Sequence, residues 1–303
     1  MAFRDTYRKQ VALLVRTLPL VAEESCFALK GGTAINLFVR DMPRLSVDID
    51  LTYVPVAPRA ESLAAINAAM KRIVARVQRA IPDAKITSSG SEGAITQLTI
   101  RQSGVQTKIE VTPVLRGCVY EPQTLTVSDS VEAAFGFAEM PVVSFADLYA
   151  GKIVAALDRQ HPRDLFDVRD LLANEGIDDS LRKAFIVYLL SHDRPMSEVL
   201  APTRKDISAE YLRGFDGMTE EPVSRDELIA ARETLIAEIV GRMPDSHRRF
   251  LVSFERGEPD WTFLDVPGAA ELPAVKWRQQ NLDKLPAKKR AELVEALERV
   301  LST

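Results

Sequence analysis

The chain of 303 residues is long enough to bury a sizeable core and to form two domains, or one domain with a large helical extension. Its 46% hydrophobic and 27% charged residues describe a globular chain; no apolar stretch approaches the ~20 residues of a membrane span and no leader pattern opens it, so a cytoplasmic location and no membrane partner are expected. A net charge of −4 excludes a surface coated in basic residues, though not a nucleic acid held on a local stripe.

Residues 4–18 carry Tyr7, Val11, Leu14, Val15 and Leu18 at helical spacing, which predicts an N-terminal cover helix with Pro19 at its exit. Phe27 to Leu29 reads as a short strand, broken by Gly31-Gly32 just before the helix-forming run Ala34 to Val39. Glycine lets the backbone approach a ligand closely, and the unpaired N–H groups of a helix start, with Thr33 as N-cap, suit a phosphate. In Val47-Asp48-Ile49-Asp50-Leu51 apolar residues alternate with acids. As a strand this puts both aspartates on one face, their Cα atoms about 7 Å apart, close enough to share or bridge Mg²⁺ ions. A Gly-Gly pair alone is usually only a turn, but two aspartates on one strand face repel each other unless a cation or solvent relieves them.

Leu63, Ile66, Met70, Ile73, Val77 and Ile81 recur at three and four, an amphipathic helix after the Pro55 and Pro58 loop. Its opposite face carries Arg72, Arg76 and Arg79, either a solvated face or a stripe that tracks the phosphates of a nucleic acid. Ala94 to Arg101 and Val105 to Leu115 read as a hairpin around Ser103-Gly104. Alternation in the second strand brings Glu110 to the face of Gln106 and Lys108, where it becomes a third carboxylate if this strand pairs beside the aspartates, or else a solvated acid paired with Lys108.

Ser144-Phe-Ala-Asp147 reads as a capping box, opening a helix with Lys152 at the margin of its apolar side. Pro162 suits a first helical position, and Asp164, Asp167 and Asp170 follow at three-residue spacing. The helix dipole accounts for Asp164 and less well for the other two. From Asp178 onward the composition is helical and charged, with Phe250, Phe254, Trp261 and Trp277 as aromatic anchors and an amphipathic helix over 288–301. Cys26 and Cys118 read as buried thiols, and His161, His192 and His247 are too scattered for a zinc motif.

Lys30-Gly31-Gly32-Thr33, then Arg44-Leu45-Ser46-Val47-Asp48-Ile49-Asp50-Leu51, then Lys152, then Arg163-Asp164-Leu165-Phe166-Asp167 resemble, in order and spacing, the AbiEii/AbiGii family of nucleotidyltransferase toxins, which includes the MenT-type toxins. The glycine pair and Asp-x-Asp alone would point only to the wider DNA polymerase β-like superfamily. The resemblance implies an α+β fold, a polymerase β-like mixed sheet backed by helices and followed by a mostly helical C-terminal region. Division into a catalytic domain over 1–140 and a helical domain over 141–303 is expected, the latter contributing Lys152 and Asp167. The resemblance further implies transfer of a nucleoside monophosphate from an NTP, with two Mg²⁺ ions, to an RNA acceptor, the tRNA 3′ end, by an enzyme paired with a cognate antitoxin. Asp48, Asp50, Lys152 and Asp167 are then the catalytic set. Gly31, Gly32, Thr33, Ser46 and Lys152 hold the nucleotide, and Asp48 and Asp50 the metal. Glu110 joins them on alternation rather than on a family motif. Two competing readings are phosphoryl transfer to a protein on the same fold, and a non-catalytic module that grips a partner protein.

Overall fold

The computed structural model describes residues 2–219 and 221–302. The chain forms two compact units: Met1–Ser144 together with Gly217–Pro222, and Phe145–Asp216 together with Val223–Thr303. No composition shift announces the return of 217–222 to the first unit.

The first unit is built on a mixed seven-stranded sheet of order β3-β4-β5-β2-β1-β7-β6. Its central strands are β1 (Phe27–Lys30), β2 (Asp48–Tyr53) and β5 (Val105–Arg116), with β2 antiparallel to β1 and parallel to β5. The strands β3 (Lys85–Ser91) and β4 (Ala94–Gln102) extend one side, and β6 (Gln123–Thr126) and β7 (Glu139–Val142) the other. The β4–β5 hairpin turns on Ser103 and Gly104, both at positive φ (51° and 80°), the two-residue turn whose twist matches the flanking strands. Alternation works as read from the sequence. Ile49, Leu51, Ile109 and Val111 are buried, while Asp48, Asp50, Lys108 and Glu110 lie half-buried on the opposite face.

Helix α1 (Ala2–Ala22) packs against β5, β7 and the short α4 (Asp129–Phe135), and α3 (Arg59–Ala80) packs against β4. The expected end at Pro19 is wrong, because α1 continues through it to Ala22. A proline inside a helix costs ~3 kcal/mol, but burying each of Val11, Leu14 and Leu18 contributes ~1.5–3 kcal/mol, so tertiary packing outweighs the lost hydrogen bond. After β1 the chain runs as α2 (Gly31–Ala34) into a π-helical turn (Ile35–Val39). Lys30, not Thr33, is the N-cap residue. Thr33 lies inside the turn, fully buried, and turns its hydroxyl outward to β2.

In the second unit, α5 (Phe145–Asp158) packs against α6 (Pro162–Asn174) and α7 (Asp179–Leu190), as three antiparallel-prone helices joined by short connections do. Pro162 occupies the first turn of α6, and His161 caps it by accepting from the Arg163 N–H at 3.2 Å. Further helices follow to Ala287–Leu301, and Phe250 and Phe254 are fully buried against Trp261. Among the described residues no helix is long and apolar enough to cross a membrane. Cys26 and Cys118 are free thiols, half-buried rather than fully buried.

Candidate functional site

In the first unit the polar face of the sheet gathers charge of both signs. Register pairs Asp50 with Lys30 on one side and Glu110 on the other, and pairs Asp48 with Lys108. Glu110 therefore stands beside Asp50, and its Oε1 accepts from Gln97 Nε2 at 2.9 Å rather than from Lys108. Lys30 Nζ reaches Thr112 Oγ1 at 3.3 Å. Its surroundings push its ammonium below the ordinary lysine range through desolvation, against the opposing pull of the Asp50 charge. Neither Lys30 nor Lys108 was assigned to the site from the sequence. Strand period was available as the signal, but without the pairing of three strands it does not say which cation meets which acid.

The glycine turn lies directly on these acids. Gly31 has φ +74°, and a Cβ there would fall 2.5 Å from Asp50 Oδ2, so only glycine lets β1 turn against the carboxylate. At Gly32 a Cβ would fall 2.8 Å from Arg44 Nη2 and 3.0 Å from Ser46 Oγ. Thr33 Oγ1 donates to the Asp48 carbonyl and lies 3.0 Å from Ser46 Oγ, and buried Asn36 donates Nδ2 to the Gly32 carbonyl at 2.8 Å. The turn is thereby fixed both to the acidic strand and to the loop that precedes it.

Arg72 and Arg76 are spent within the unit. Both donate to Glu24, whose carboxylate is 4% exposed, and Arg76 also meets Glu23 and the Leu20 carbonyl. The Arg72 hydrogen bond holds Glu24 below the usual carboxylate range despite burial. Arg79 lines the same cleft beside Leu20 and Glu23. The stripe thus ties α3 to the end of α1.

In the second unit Lys152, 7% exposed, is held between Asp164 Oδ1 at 2.7 Å and Asp167 Oδ2 at 3.0 Å. Arg159 closes over Asp164 from outside, with Nη2 to Oδ1 at 2.9 Å. Burial raises the Asp164 pKa, but Lys152 and Arg159 more than offset it, leaving the carboxyl well below the ordinary range. The helix dipole is therefore not the account of Asp164, which is 1% exposed and is the centre of this network. Its three-residue spacing from Asp167 was visible in the sequence, while the packing of α5 on α6 that turns both toward Lys152 was not.

A family model described as nucleotidyl transferase AbiEii toxin, type IV toxin-antitoxin system, matches residues 12–275. The chain belongs to the AbiEii nucleotidyltransferase toxin family. No curated protein sequence matches it. Its structure is similar to that of MenT4, a nucleotidyltransferase toxin from Mycobacterium tuberculosis H37Rv, with a TM-score of 0.59 and 17% identity over 91% of this chain and 93% of that one, a likeness of fold.

As an AbiEii protein the chain is a nucleotidyltransferase, of a family that uses a nucleoside triphosphate and a divalent metal and acts opposite an antitoxin. Among the described residues no group of three or more His, Cys, Asp or Glu side chains is arranged to hold an ion. The donor set nevertheless fits Mg²⁺. That ion takes hard oxygen ligands, commonly one or two carboxylates with substrate phosphates and water completing its shell, and Asp48 and Asp50 offer two carboxylates on one strand face.

Proposed function

We propose that this AbiEii enzyme transfers a nucleoside monophosphate from an NTP to the 3′ end of an RNA acceptor, a tRNA, with Mg²⁺ held by Asp48 and Asp50. The observation that carries the reading is the placement of both aspartates on one face of β2, with the Gly31 backbone packed on Asp50. Bound there, Mg²⁺ would supply Lewis acidity, stabilising the attacking hydroxyl oxygen and the pyrophosphate leaving group of an in-line displacement.

This chain's own residues do the rest. Gly31 and Gly32 present backbone without side chains, so a polyphosphate can approach closely, while Thr33 and Ser46 hold the turn against β2. Glu110, in register beside Asp50 and steadied by Gln97, adds negative charge to this face, but it does not complete a three-carboxylate ion site with Asp48 and Asp50. Lys152 is assigned to the phosphates and Asp167 to its orientation on the family resemblance. The Lys152 ammonium is fixed between two buried carboxylates, at 2.7 and 3.0 Å, which takes away the freedom of its stem. No nucleophilic side chain is needed, because the acceptor's hydroxyl attacks. The tRNA acceptor likewise rests on the resemblance.

Incubation of total tRNA with α-labelled and γ-labelled NTPs in parallel is the test. The α-label should remain on RNA, 3′-end sequencing should show added nucleotides, and Asp48→Asn or Asp50→Asn should lower transfer at least ~10²-fold. Retention of the γ-label on protein would instead indicate phosphoryl transfer, and near-normal transfer by either mutant would remove the metal site.

A further inference from the structure

Arg44 has no role in the chemistry above, yet it is 3% exposed and its guanidinium lies on the glycine turn, with Nη2 2.8 Å from where a Gly32 Cβ would be. We propose that Arg44 grips the polyphosphate of the nucleotide at the mouth of the Gly31-Gly32 turn, and that residues 217–219 form a strap that positions it. This rests on the nucleotidyltransferase reading of the same site and adds to it a binding residue and the segment that holds it.

The backbone around Arg44 has little structure of its own, since 40–47 is a loop between the π turn and β2. Order comes from elsewhere in the chain. Leu45 N–H donates to the Met218 carbonyl at 3.2 Å, and Arg44 pairs with Thr219 in an isolated antiparallel bridge. The chain visits the first unit for residues 217–222 only, between two stretches that belong to the second. Each partner enters through a left-handed residue, Met42 at φ 54° and Gly217 at φ +76°, so the bridge is set by two tight turns. Arg44 Nη1 donates to the Leu45 carbonyl at 3.1 Å, which orients the Nη2 edge toward Gly32 and Ser46. A cavity of about 150 Å³ is lined by Arg8, Met42, Arg44, Leu45 and residues 217–219 of the strap. The planar guanidinium of arginine matches phosphate oxygens in a way that the point charge of lysine does not.

Isothermal titration of the full-length protein with Mg²⁺-tripolyphosphate and with Mg²⁺-α,β-methylene-ATP tests the assignment. Arg44→Gln should weaken both ligands about tenfold or more, the loss of one charge-assisted contact, and Arg44→Lys should recover less than half of that loss on a logarithmic scale. Gly217→Val retains the Arg44 side chain, and its Cβ meets no atom within 4 Å, but it strains the left-handed turn. It should raise the KM for NTP several-fold with kcat within twofold, and it decides the matter if Arg44→Gln does not fold. Wild-type affinity in folded Arg44→Gln, or a fall in kcat with unchanged KM in Gly217→Val, would overturn the proposal. Failure of the wild-type protein to bind either ligand would overturn the nucleotidyltransferase reading itself.

Discussion

Asp164→Ala removes the carboxylate that two cations share, and the two lose unequal amounts. Arg159 is 62% exposed, so water replaces most of what it loses. Lys152, 7% exposed, keeps Asp167 at 3.0 Å but loses the 2.7 Å contact. Truncating one member of a buried ion pair costs ~3–5 kcal/mol, and the retained carboxylate places this case at about 3 kcal/mol. Both tryptophans, Trp261 and Trp277, lie in the second unit, so tryptophan fluorescence in urea reads the unfolding of that unit. With a urea slope of ~1–3 kcal/mol/M the midpoint should fall by about 1–3 M. The pH dependence carries the sign of the pKa shift. Because the folded carboxyl lies below the ordinary range, its contribution is fully present above the unfolded value of ~3.9 and is lost as pH falls through that value toward the folded one. Asp164→Asn should therefore be less stable than wild type at neutral pH and should lose less stability than wild type between pH 5 and pH 3, taken as approximate bounds. A fall of under ~1 kcal/mol in Asp164→Ala, or parallel acid limbs in wild type and Asp164→Asn, would show that the network does not stabilise the unit.

Gly31→Ala should lower NTP transfer by at least ~10²-fold and cost about 1–2 kcal/mol of stability through left-handed strain, since its Cβ would fall 2.5 Å from Asp50 Oδ2 and displace that carboxylate; unchanged kinetics would mean that Asp50 can move aside. Lys152→Ala and Asp167→Ala should each reduce transfer by orders of magnitude and the double mutant little further, because the two touch at 3.0 Å; additive losses would separate their roles. Arg72→Gln with Arg76→Gln should lower the calorimetric unfolding midpoint of the first unit, because buried Glu24 loses both partners, whatever the RNA; Arg79→Gln should leave the midpoint in place and flatten the salt dependence of RNA binding, and an unchanged slope would return Arg79 to a solvated helix face.

Much of the first unit was legible in the chain because its signals are local. A period of two puts Asp48 and Asp50 on one face whatever the strand pairs with, Gly31 supplies the positive φ that the turn needs, and Ser103-Gly104 defines its hairpin by backbone preference alone. Pairing is not local. Glu110 became a neighbour of Asp50 only because β5 lies parallel to β2, with the hairpin on the far side, and Lys30 and Lys108 met the aspartates through the same register. Where sequence reasoning failed, tertiary energy overrode a local rule: three buried side chains carried α1 through Pro19, and Thr33 spent its hydroxyl on β2 instead of capping a helix. The arginine stripe reads as a solvated or a phosphate-tracking face until the turn after α1 brings Glu23 and Glu24 against Arg72 and Arg76, and Asp164 reads as a dipole partner until α5 and α6 bury it against Lys152. No local pattern could have announced the strap at 217–219, whose hold on Arg44 and Leu45 spans more than 170 positions. A hydrogen bond between segments so far apart depends on where the whole chain folds, whereas a strand period or a glycine turn depends only on the next few residues.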